Sequence, residues 1–162
     1  RTKKTGATII GARDTLIAFN INLLSTNDWV AKQIARNIRK NRENGDEEFK
    51  YIMAKGLWLE KEKMAQVTMN LTNYKITELH KVYAYIRDYA LLFYNKIAYS
   101  EIIGLIPKES MLMVGQYYME KQQNKVKKFC EEELVNLAIR NLQIKDFEPK
   151  KKIIEHLLEQ NL

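Results

Sequence analysis

Residues 64–74 (M-A-Q-V-T-M-N-L-T-N-Y) alternate strictly between apolar and polar. Ala65, Val67, Met69 and Leu71 fall on one side, and Gln66, Thr68, Asn70 and Thr72 on the other. A period of two predicts a strand with one apolar and one polar face. A second stretch, 16–23 (L-I-A-F-N-I-N-L), does the same: Ile17, Phe19, Ile21 and Leu23 share one side, Leu16, Ala18, Asn20 and Asn22 the other. The polar side of the first stretch carries amides and hydroxyls and no charge, which suits direct, uncharged hydrogen bonding. An ordinary solvated sheet face would show the same alternation.

The remaining pattern supplies further elements. A short strand is expected at 8–10, ended by the turn Gly11-Ala12-Arg13-Asp14. Residues 27–42 read as a helix burying Val30, Ile34 and Ile38, after the capping candidates Ser25, Thr26, Asn27 and Asp28. Residues 49–60 read as a strand with Gly56 as a bulge or bend. It forms a hairpin with strand 65–72, its tip at 60–63. Thr77 is the expected cap of the next helix, whose buried stripe is Leu79, Val82, Tyr83, Ile86, Ala90 and Phe93. A strand at 97–105 ends before Pro107, and helices follow at 108–122, 131–142 and 149–159, the last with Pro149 in its first turn.

The order β-α-β-β-α-β is the split unit of ferredoxin-like folds: an α/β (α+β) domain with an antiparallel sheet, both helices on one face and extra C-terminal helices. The expected organisation of residues 1–162 is a linker at 1–5, a ferredoxin-like core at 6–106 and C-terminal helices at 107–162. On this topology Asn20, Asn22, Gln66 and Asn70 share the face away from the helices.

Composition narrows the function classes. With 162 residues, 46% of them hydrophobic and 29% charged, the chain can bury one real core. No apolar run is long enough to cross a membrane, and no membrane partner is expected. The chain opens on Arg1 rather than Met and is expected to be part of a longer one. The lone Cys130 makes no internal disulfide, which fits a reducing, cytoplasmic setting. It reads as a thiol on a helix surface or in the core.

The net charge of +7 is compatible with nucleic acid, with an anionic small molecule, or with solvated helix faces. RNA-binding modules of this topology stack bases on aromatics of the central strands. Here those positions hold Gln, Thr, Asn and Thr, and Phe19 points to the helices, so no nucleic acid is expected. Tyr51 and Trp58 on the neighbouring strand keep that alternative open. The glycines Gly6 and Gly11 lack the following Lys and Ser/Thr of a phosphate loop. His80 and His156 have no second His or Cys at ligand spacing, so no metal is expected.

Five runs carry a resemblance: T-G-A-T-I-I-G-A-R (5–13), L-I-A-F-N-I-N-L (16–23), A-Q-V-T-M-N-L-T-N-Y (65–74), T-E-L-H-K-V (77–82) and S-E-I-I-G-L-I-P (100–107). In this order they resemble the C-terminal subdomain of the formiminotransferase domain, with a looser match at F-E-P-K-K-K-I-I-E (147–155). The resemblance implies a glutamate formimidoyltransferase, which moves a formimino group from N-formiminoglutamate to N5 of tetrahydrofolate in histidine degradation and one-carbon metabolism. It also implies two α/β subdomains whose sheets face each other with folate between them. The N-terminal subdomain is then the partner that supplies the catalytic His. Neither His80 nor His156 matches that residue, so no catalytic residue is assigned and this chain alone is expected to be inactive.

The linker associated with folate binding corresponds to residues up to Gly6. Tyr99 stands where the family usually has Gly. Substrate and folate contacts are expected from Thr5, Gly6, Arg13, Asn20, Asn22, Gln66 and Asn70, with Arg13 and the Lys3–Lys4 segment as carboxylate-binding cations. A homo-oligomer is expected. The rival reading is a non-enzymatic folate-binding or RNA-binding module of the same fold.

Overall fold

The computed structural model describes residue 11 and residues 15–122 and 129–159. Its elements are β1 (Ile17–Leu24), α1 (Trp29–Glu43), a 3-10 turn at Glu47–Phe49, β2 (Ile52–Leu59), β3 (Met64–Leu71), α2 (Leu79–Leu92), β4 (Lys96–Ile103), α3 (Lys108–Lys121), α4 (Glu131–Asn141), α5 (Pro149–Lys152) and α6 (Ile154–Glu159). The four strands form one sheet in the order β2-β3-β1-β4, every neighbouring pair antiparallel. This is the ferredoxin-like arrangement, with its two crossover helices and a C-terminal helical extension. The strand expected at 8–10 lies outside the described residues.

Alternation decides which face meets the helices. Ile17, Phe19, Ile21 and Leu23 of β1 are completely buried, as are Ala65, Val67 and Leu71 of β3. They pack with Val30, Ala31, Ile34, Ala35 and Ile38 of α1, and with Leu79, Val82, Tyr83, Ile86 and Ala90 of α2. The stripes recur at three and four residues, so each helix turns one face to the sheet.

Several boundaries differ from the sequence reading, each for a local reason. Phe49 is not in a strand. Asp46 accepts the Glu48 amide at 3.0 Å and starts a 3-10 turn that sends Phe49 into the core. Gly56 is neither bulge nor bend, because β2 and β3 stay in unbroken register through Gly56↔Val67. A Cβ there would sit 2.3 Å from the backbone of Ala31 and Lys32, so the glycine exists to let α1 lie directly on β2. The irregularity falls instead in β4, where the register against β1 shifts between Asn22 and Leu23.

Thr77 does not cap α2. Glu78 is the N-cap residue, and the buried Thr77 hydroxyl accepts the Tyr51 amide at 3.2 Å. The helix expected at 149–159 is broken at Ile153, whose extended backbone pairs with Ile106 across a parallel bridge. The Ile106 amide donates to Lys152 and the Ile154 amide to Ile106. Cys130 is exposed at the N-cap of α4, its amide donating to Glu133 at 3.0 Å.

Both sheet edges are guarded, as exposed edges must be. On the β4 side, Ser100 pairs with Ile144, and its hydroxyl donates to the Leu142 carbonyl at 2.6 Å. On the β2 side, Arg39 and Arg42 of α1 donate to the outward carbonyls of Ala54 and Ile52, at 2.7 and 3.2 Å.

Candidate functional site: the outer sheet face

The registers assemble the outer face row by row. Met53, Asn70, Ala18 and Ile103 lie opposite one another across the four strands. The next row is Lys55, Thr68, Asn20 and Glu101, and the third is Leu57, Gln66, Asn22 and Tyr99. Asn20, Asn22, Gln66 and Asn70 therefore do share one face, on the two central strands. Thr5, Gly6 and Arg13 lie outside the described residues.

The four amides are not equivalent. Asn20 and Asn70 are half-buried, whereas Asn22 is 0% and Gln66 7% exposed. A buried amide is costly unless bonded, and these two are bonded to each other. Gln66 Nε2 donates to Asn22 Oδ1 at 2.9 Å, and Asn22 Nδ2 donates to Glu101 Oε2 at 3.0 Å. The carboxylate decides the direction of this chain. Ionised, it can only accept, so it draws the Asn22 NH2 and turns the Asn22 carbonyl toward Gln66. Asn22 and Gln66 are thus partly committed to holding each other, and Asn20 and Asn70 are the more available pair.

The face also carries charges that reading β3 alone did not reveal. Glu101 stands beside Asn20 on β4, and the exposed Lys55 stands at the β2 edge. Among the described residues neither has a partner of opposite charge within ion-pair distance. Glu101 is thus a carboxylate on the same face as the neutral amides. The signal for it was the alternation Tyr99, Glu101, Ile103 against the buried Ser100 and Ile102. It is diluted by the apolar residues on both sides of β4. Tyr99 faces Asn22 across the strand pair, with Lys145 Nζ 4.7 Å from its ring centroid.

Two concavities lie elsewhere. One of about 480 Å³, with Leu24, Trp29, Phe93 and Tyr94 in its wall, sits at the β1–α1 end of the sheet. One of about 1100 Å³ lies among Glu131, Phe147, Glu148, Lys150 and His156. Neither is lined by the amides. The amide face itself is only partly exposed, with Asn22 and Gln66 buried and Asn20 and Asn70 half-buried. Of the histidines, His80 is buried against Tyr117, with ring centroids 4.0 Å apart. Among the described residues no group of three or more His, Cys, Asp or Glu is placed to hold a metal, and no helix is long and apolar enough to cross a membrane.

The sequence comparisons converge on one family. Residues 18–159 match the Formiminotransferase domain, and the chain belongs to this family. It is 36% identical over 159 residues to the formimidoyltransferase-cyclodeaminase of Gallus gallus, covering 95% of this chain and 29% of that protein. It is 38% identical over 117 residues to the glutamate formimidoyltransferase of Thermoplasma acidophilum, covering 72% and 37%. To that of Streptococcus pyogenes serotype M1 it is 33% identical over 154 residues, covering 94% and 42%. The chain thus spans less than half the length of these relatives.

Proposed function

We propose that this chain forms the folate-binding half of a glutamate formimidoyltransferase, a transferase that moves a formimino group from N-formiminoglutamate to N5 of tetrahydrofolate. The observation that carries the reading is the outer face, where Gln66, Asn22 and Glu101 form a directed hydrogen-bond chain beside the less buried Asn20 and Asn70. A pterin ring presents several donors and acceptors along its edge. Side-chain amides can meet both kinds, and a fixed amide orientation makes the pairing selective. Membership of the formiminotransferase family supports this reading over other ligands.

The partner in this reading is a second α/β subdomain whose sheet closes over the face and brings the catalytic His. In this reading Thr5, Gly6 and Arg13 also contribute substrate and folate contacts, with Arg13 meeting substrate carboxylates. Tetrahydrofolate is a substrate rather than a resident cofactor. An RNA-binding role is disfavoured by two residues: Trp58 pairs with the core residue Ala65 and packs toward the helices, and Glu101 would repel phosphate.

The test is calorimetry of folate binding to the full-length gene product. Asn70→Ala and Asn20→Ala should each weaken binding by about 1–3 kcal/mol if a ligand atom is left unpaired. Unchanged affinity in both would move the site off this face. Asn22 is unsuited to that test. Its loss strands the buried Gln66 donor and so costs stability of about 1–3 kcal/mol by itself.

A further inference from the structure

The row Lys55–Thr68–Asn20–Glu101 has a polarity that the amides alone do not have. It runs straight across the sheet with a cation at the β2 edge, a carboxylate on β4 and two neutral polar side chains between. Three strand spacings separate its ends, about 14 Å. We propose that this row sets the direction of a bound folate. The amidine-type edge of the pterin, its N3–H and 2-amino group, meets Glu101, and the glutamyl carboxylates extend across β1 and β3 toward Lys55. The inference rests on the folate-binding reading above and adds to it a residue and an orientation.

Three features support Glu101 in this role. A planar N–C–N edge with two adjacent N–H groups matches a carboxylate that accepts two parallel hydrogen bonds. Glu101 has capacity for them, because only Oε2 is engaged, by the single N–H of Asn22. Its orientation is also held in advance: Asn22 is fixed in turn by Gln66, so little side-chain freedom remains to be lost on binding. The formimino group of N-formiminoglutamate offers a similar N–C–N edge. That molecule is too short to reach from Glu101 to a carboxylate site three strands away, so the row selects the longer ligand. Lys55, exposed and without an acidic partner among the described residues, is placed to attract a carboxylate and not to read its shape.

Three probes test this on the full-length gene product by calorimetry: 5-formyltetrahydrofolate, its pteroate counterpart without the glutamate, and its counterpart without the 2-amino group. Glu101→Gln should weaken the parent and the pteroate at least tenfold, and the 2-deamino ligand far less. Lys55→Met should weaken the parent and the 2-deamino ligand about threefold and leave the pteroate unchanged. The Gln side chain still accepts from Asn22, and the thermal midpoint checks that the fold is kept. Should Glu101→Gln lose its fold, wild-type protein that binds the parent and the 2-deamino ligand equally well overturns the proposal. The proposal is also overturned if both variants bind the parent as wild type does, or if the two ligand dependences are exchanged. Wild-type protein that binds none of the three overturns the folate reading together with this one. Wild-type protein that binds N-formiminoglutamate with an affinity sensitive to Glu101→Gln, while the parent is insensitive, assigns Glu101 to the donor substrate and overturns the orientation.

Discussion

The imidazole of His80 is stacked on Tyr117 of α3, with Nε2 3.4 Å from a Glu78 carboxylate oxygen. Its Nδ1 has no hydrogen-bond partner among the described residues. Burial lowers its pKa below the ordinary 6.5 and Lys81 adds to that, against the opposing pull of Glu78 and Glu48. Charging the ring would create an N–H with no acceptor. A folded-state pKa below the unfolded value means that the unfolded chain binds the proton first. The stability linked to His80 is therefore complete above about pH 6.5 and is lost as the pH falls toward the lower, folded-state value. We expect the thermal midpoint to drop between pH 7.5 and 5.5, and to drop less in His80→Gln. Parallel pH profiles for the two proteins would remove His80 as the cause. Sequence position marked His80 only as a first-turn helix residue. Its burial comes from α3, some thirty residues further on, which local pattern does not report.

Elements were most legible where one rule operated alone. Strict alternation in β1 and β3 located both strands, their buried faces and the shared amide face, because a one-residue slip would have turned every apolar side chain outward. Legibility failed where two interactions compete for the same residues. Helical pattern runs through 149–159, but the backbone of Ile153 is taken by Ile106. Thr77 has the chemistry of a cap, but its hydroxyl is taken by the Tyr51 amide. Gly56 has the composition of a bulge, but its reason is a helix packed on the strand. That contact gives the element-scale prediction. Gly56→Ala drives a methyl to 2.3 Å from the Ala31 carbonyl carbon, and backbone cannot rotate away as a side-chain tip can. We expect a loss of roughly 1–3 kcal/mol or more, read as a lower urea midpoint with an unchanged slope. A variant as stable as wild type would mean that α1 can lift from β2 at no cost.

At the scale of the molecule, α1 and α2 pack on one side of the sheet and the other side carries the amide rows. That side is polar at its centre, but its two edges carry exposed apolar side chains: Met53 is 50% exposed and Ile103 54%. These two residues flank the amide rows at the two edges of the sheet, as apolar groups do where they exclude water around hydrogen-bonding groups at an interface. In the proposed enzyme a second subdomain supplies the cover. The 162-residue chain produced by itself has only other copies of itself to use, and exposed apolar side chains of this kind favour association. Because Met53 and Ile103 lie in one row at the two ends of the sheet, a facing copy can engage both at once. We expect the isolated chain to show concentration-dependent self-association in sedimentation velocity. Met53→Gln combined with Ile103→Gln should shift it toward monomer. Both positions are exposed and outside the core, so thermal stability should change by no more than about 0.5 kcal/mol. A strictly monomeric wild-type chain at high concentration would sink the argument that this face is built to be covered. Self-association unaffected by the double variant would relocate the contact to the exposed Leu92 and Tyr94 at the other end of α2.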